Sequence, residues 1–111
     1  VKDFDDFVAD VLEGVKALAV GALKDYTQQL TTDAGSFLES TQEKVERWGN
    51  ALAEGQLTAQ EFSFLMKSQK DLAILASLAA AGITAARLKR LRDDLMELII
   101  GRAIGFFAPG G

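Results

Sequence analysis

Apolar residues recur every three or four positions along nearly all of the 111-residue chain, and this helical period constrains the fold more than any other feature. Phe4, Val8, Val11, Val15, Leu18 and Ala22 form one stripe, flanked by Phe7, Leu12, Ala19, Leu23 and Tyr26. Asp6, Asp10, Glu13, Lys16 and Lys24 fall elsewhere on the wheel, as an amphipathic helix requires. The stripe stays in phase through Leu30, Ala34, Phe37, Thr41, Val45, Trp48 and Leu52, so a helix could run from Phe4 to Leu52. Only the stretch from Thr31 to Ser36 opposes this. Its poor helix formers and capping residue types leave a break or kink near Gly35 open. Apolar and polar residues nowhere alternate in the manner of a strand, and Ala and Leu dominate over β-branched residues; the chain is expected to be all-α.

The clearest boundary lies in the middle. Gly55 suits the left-handed position just beyond a helix C-terminus. Thr58 and Glu61 then form a T-x-x-E capping box, and Leu57 and Phe62 occupy the two positions of a hydrophobic staple. Beyond it Phe62, Leu65, Gln69, Leu72, Ala76, Ala79 and Ile83 keep the helical spacing, but the next stripe begins at Leu88, five residues after Ile83. That slip predicts a kink or turn near Gly82, with Thr84 capping the final helix. Pro109 comes after the last helical residues, where it interrupts nothing.

A single all-α domain over residues 1–111 is therefore expected: one helical arm over about 3–54, a turn at 55–57 and a second arm over about 58–108 with a kink near 82–84. Two architectures satisfy this antiparallel hairpin. If the breaks near Gly35 and Gly82 are sharp, four helices close into a bundle. If they are kinks, the arms are about 75 Å long at 1.5 Å per residue, and the hairpin must form elongated helical oligomers to cover its faces. In both, the first helix lies antiparallel to the last.

Composition removes most chemistry. With no histidine and no cysteine there is no imidazole acid or base, no thiol nucleophile and no conventional zinc or haem ligation, so neither an enzyme nor a cofactor is expected. Glu39, Glu43 and Glu46 form an i, i+4, i+7 row, but the His that completes carboxylate-bridged metal sites in bundles is missing; a solvent face with Glu43 pairing to Arg47 is the simpler reading. Asp3, Asp5 and Asp6 lack the glycine and terminal glutamate of a calcium loop and instead suit a helix N-terminus, so no metal site is expected. Trp48 and Tyr26 read as core anchors.

Charge is unevenly spread. The net value is −4, with seven acids and three bases in residues 1–35 but three acids and five bases in residues 87–111. The overall sign argues against a nucleic-acid binder. Arg87, Lys89, Arg90 and Arg92 place four bases within six residues, followed by Asp93, Asp94 and Glu97. This reads as a solvated face with internal ion pairs, or as a surface for an acidic partner or anionic lipid. The acidic N-terminal segment does not resemble a secretory signal, which makes a cytoplasmic location the expectation.

Two segments are poor in charge. Leu72 to Ala86 holds fifteen uncharged residues, too few for a membrane span and expected to form a helix buried on all sides. Leu98 to Ala108 has one charge and is apolar around most of a helix, with Gly101-x-x-x-Gly105 as a weak small-residue motif. Ordinary core packing accounts for such segments, and so does an interface. The functional expectation is a non-enzymatic structural or interaction protein, a homo-oligomer assembled through apolar helix faces. Phe4, Phe7, Leu72, Leu75, Leu78, Ile83, Leu98, Ile99, Ile104, Phe106 and Phe107 would form its interface, and Arg87, Lys89, Arg90 and Arg92 would set electrostatic pairing. The alternative is a membrane-active or apolar-ligand-binding protein that exposes its C-terminal helices at a bilayer.

Overall fold

The computed structural model describes residues 3–22, 24–70, 73 and 75–108, and among them every regular element is helical. The order is α1 (Phe4–Ala22), a 3-10 turn (Lys24–Tyr26), α2 (Thr27–Ser40), α3 (Gln42–Ala53), α4 (Ala59–Lys67), α5 (Ala76–Ala80) and α6 (Ala85–Phe107). Helix α6 is the hub, packing against α1, α3, α4 and α5, while α2 packs against α1 and α5. The longest dimension is 42 Å, so arms of about 75 Å do not form.

Local signals end and start the helices much as the sequence implies. The Asp3 carboxylate accepts the Asp5 N–H at 3.0 Å, and Asp5 and Asp6 occupy the first turn of α1, where negative charge complements the helix dipole. Gly55 has φ +76°, the Gln56 N–H bonds the Ala51 carbonyl at 2.8 Å, and the Gly55 N–H bonds Leu52 at 3.2 Å, a complete Schellman closure of α3. Both bonds of the Thr58–Glu61 capping box are made, at 3.0 and 2.9 Å. The same Schellman pattern recurs at Gly82, φ +96°, with Ile83 N–H to Leu78 and Gly82 N–H to Ala79; Thr84 then caps α6 by accepting the Arg87 N–H.

The break or kink left open near Gly35 does not occur. Helix α2 runs through it, and the interruptions fall instead at the Lys24–Tyr26 turn, where the chain folds back so that α2 packs along α1, and at Thr41. The energetics favour continuity. A helical Gly costs about 1 kcal/mol and the threonines a few tenths each, whereas burying a large apolar side chain such as Leu or Phe gains about 1.5–3 kcal/mol. Leu30, Phe37 and Leu38 are all buried on α2. The polar residues of the segment are absorbed: Thr31 donates to the Thr27 carbonyl at 2.8 Å, and the buried Thr41 hydroxyl donates to Phe37 at 2.9 Å.

Asp33 has a different task. It is 3% exposed, and its two carboxylate oxygens accept the N–H groups of Ser77 at 3.0 Å and Leu78 at 3.1 Å, in the first turn of α5. A side chain of α2 thus caps a helix that begins more than forty residues later. Helix α5 has only five residues and does not stand alone; this cap and the fully buried Leu78 hold it.

The uncharged Leu72 to Ala86 run is accordingly not a helix buried on all sides. Among its described residues, only Ala76–Ala80 and the first two residues of α6 are helical, and Ala76, Ala79, Ala80, Ala81, Ala85 and Ala86 are exposed. Alanine carries too little apolar surface to force burial.

Candidate interaction surfaces

The residues expected at an oligomer interface sit mainly inside the chain's own core. Phe4, Phe7, Leu75, Leu78, Ile99 and Phe107 are buried, and Ile83, Leu98, Ile104 and Phe106 are partly buried against the same cluster. Leu72 lies outside the described residues. The four phenylalanines do meet, as the antiparallel placement of the first and last helices requires: ring centroids are 5.9 Å apart for Phe4–Phe7, 5.4 Å for Phe7–Phe107 and 5.0 Å for Phe106–Phe107. Further along, Arg102 pairs with Asp10 at 3.0 Å, and Gly14 lies against Leu98. Ordinary packing between α1 and α6 accounts for this segment.

Close approach depends on glycines other than the Gly101/Gly105 pair. A Cβ on Gly49 of α3 would lie 2.8 Å from the Phe107 ring, and one on Gly14 would lie 3.0 Å from Leu98, whereas Gly101 and Gly105 face nothing within 4 Å. Gly49 is the notch that admits Phe107.

Two of the acids after the basic cluster, Asp93 and Glu97, have ion-pair partners outside it. They face the C-terminal end of α4 and the segment just after it, where Lys70 binds Asp93 and Lys67 lies 3.5 Å from Glu97. The Lys70 ammonium holds the Asp93 carboxyl below its ordinary value, with smaller help from Lys89 and Arg92. Lys89 and Arg90 are left exposed and make no ion pair among the described residues. Arg87 and Arg90 line one shallow groove with Leu91 and Asp94, and Arg92 edges a second, more apolar one formed by Ala73, Leu75, Ala76, Ala79 and Leu88. The basic residues therefore gather at the N-terminal end of α6, beside the exposed alanines of the α5–α6 turn.

Two large apolar side chains are exposed among the described residues, Val20 on α1 and Phe64 on α4, and periodicity marks neither. Phe64 is 74% exposed, and it lines a groove on α4 with Leu57, Gln60, Glu61 and Leu65. The signal was present in the capping box. With Thr58 at the N-cap, Phe62 faces inward and is fully buried, and Phe64 stands about 200° further round at about 100° per residue. Glu61 on the same face has its carboxyl held below the ordinary value, chiefly by the Thr58 backbone N–H and also by its hydroxyl.

The carboxylate row on α2 and α3 is spread over solvent and local partners. Glu43 pairs with Arg47 at 3.0 Å, as its spacing implies, and Glu46 accepts from Gln42 at 2.7 Å. Among the described residues no group of three or more potential ligands is arranged to hold a metal ion. Nor is any described helix long and apolar enough to cross a membrane. Compared with known proteins, the chain matches no family model, no curated sequence and no solved structure.

Proposed function

We propose that the protein is a non-enzymatic interaction protein that associates with a second copy of itself through the outward face of α4. The observation that carries this reading is the solvent-facing Phe64 ring, bordered by Leu57 and Leu65. A phenyl ring left in water on a regular helix costs apolar exposure that a partner removes. The charge pattern suits a like partner. Glu61, which also accepts the Thr58 N–H, stands three residues before Phe64, and Lys67, which also lies 3.5 Å from Glu97, three after, so two α4 helices crossing antiparallel at Phe64 bring each Glu61 near the other copy's Lys67.

The face is short, since α4 has nine residues, and the pairing is correspondingly weak, with a Kd on the order of 100 μM expected from a contact below about 1,200 Å². Light scattering coupled to size exclusion, from about 10 μM to about 1 mM, tests it across that range. The apparent mass should climb from 11.9 kDa toward twice that value, and Phe64→Glu should hold it at the monomer throughout. A wild-type chain that stays monomeric at the top of the range refutes the reading.

A further inference from the structure

The α5–α6 turn offers a second surface, independent of pairing through α4. We propose that it is a docking site for a membrane surface rich in anionic lipid headgroups. Four bases fall within the first eight residues of α6, and Lys89 and Arg90 among them are exposed without an ion pair among the described residues. The positive end of the α6 dipole lies at the same place, adding to their field.

On the turn side of the bases, Ala79, Ala80, Ala81, Gly82, Ala85 and Ala86 are all exposed, so the tip presents small uncharged side chains to a headgroup layer, while Asp94 borders the Arg87–Arg90 groove further along α6. Asp33, the acid bonded to α5, is buried with both oxygens engaged by backbone N–H groups. The strongest acidic cluster lies at the opposite end: Asp3 and Asp5 border the same groove as Phe107. Arg87 and Phe107 are about 30 Å apart along α6 at 1.5 Å per residue. Screening over about 8–10 Å hides the acidic end from a surface touching the basic one. The fold thus turns a net-acidic chain into an oriented dipole.

A lipid surface fits better than a nucleic acid. A duplex presents phosphates along a track, whereas these bases span only about 8 Å along α6, on two sides of the helix end, and the rest of the chain carries eight bases against sixteen acids. The apolar groove edged by Arg92 also lies on this tip, where a headgroup layer and its first methylenes would meet it.

Co-sedimentation of the intact chain with vesicles of phosphatidylcholine alone, and of phosphatidylcholine with an equal part of phosphatidylserine, tests the assignment. Binding is expected only to the second and should fall away in high salt. Lys89→Ala with Arg90→Ala should weaken it roughly 25-fold, at about fivefold per base. Both changes favour helix and leave the core untouched, and an unchanged thermal melt establishes that the variant is folded. Failure to bind the anionic vesicles, binding that the double variant retains, or equal affinity for a DNA duplex would each overturn the proposal.

Discussion

Removing the Asp33 carboxylate should cost more than its place on a helix of modest propensity implies. The side chain is 3% exposed and holds two N–H groups, that of Ser77 at 3.0 Å and that of Leu78 at 3.1 Å. Hydrogen bonds to a charged group contribute about 1.5–3 kcal/mol each, and a buried donor left unpaired costs about 1–3 kcal/mol. Leu78 is fully buried, so water cannot easily replace the carboxylate at its N–H. Against this, relief of the carboxylate's own desolvation returns part of the sum, and Asp33→Ala is expected to destabilise by about 2–4 kcal/mol, within the range seen for broken buried polar networks. Asp33→Asn should lie between, because the amide oxygen can accept one N–H while its NH₂ group opposes the other. Urea unfolding gives the total; amide exchange locates it, with protection lost first at Ser77 and Leu78. A loss below about 0.5 kcal/mol would be surface-like and would refute the argument, as would unchanged exchange at those two amides.

The other expectations concern glycines and acid. Gly49→Ala should destabilise by about 1–3 kcal/mol through overpacking on Phe107, while Gly35→Ala, whose Cβ meets nothing within 4 Å on a continuous helix, should stabilise by about 1 kcal/mol; thermal melts of the pair check both signs. Gly82→Ala should cost about 1 kcal/mol, because φ is +96° there and the Schellman closure between α5 and α6 needs it, again read from the melt. The carboxyls of Glu61 and Asp93 are both lowered from ordinary values of 4.5 and 3.8, so the unfolded chain binds more protons. Their contribution is present above those values and is lost as pH falls through the lowered ones. Glu61→Gln, which removes the titrating carboxyl, and Lys70→Ala, which removes the partner of Asp93, should each flatten the acid limb of stability measured against pH, and an unaltered limb would count against the assigned contributions.

How much of the fold is legible in the sequence depends on the reach of each signal. Gly55, the Thr58–Glu61 box, Gly82 and Thr84 act over six residues or fewer, and each closes the turn its pattern implies. The reversal at Lys24–Tyr26 has no such marker. Two helices that fold back on one another each need an apolar stripe, and stripes that happen to agree in phase cannot be told from one continuous helix. Asp33 illustrates the same limit: its pattern reads as a poor helix former, yet its partners lie more than forty residues away, where no periodicity connects them.

The number of neighbours a helix has decides what an apolar segment means. A two-armed hairpin offers α6 little cover besides α1, and on that count the segment from Leu98 to Phe107 has apolar surface to spare. The folded chain gives α6 four neighbours, because the break at Lys24–Tyr26 shortens the first arm and lets α3 and α4 reach it from another side. Ile99, Ala103 and Phe107 are then covered within one chain, and Phe107 fits only because Gly49 on α3 lacks a side chain. The same folding leaves Phe64 and the alanine tip outside. Apolar surface remaining for a partner is therefore set by which helices meet, and the places to look for function move from the most apolar segment to the residues its burial displaces outward.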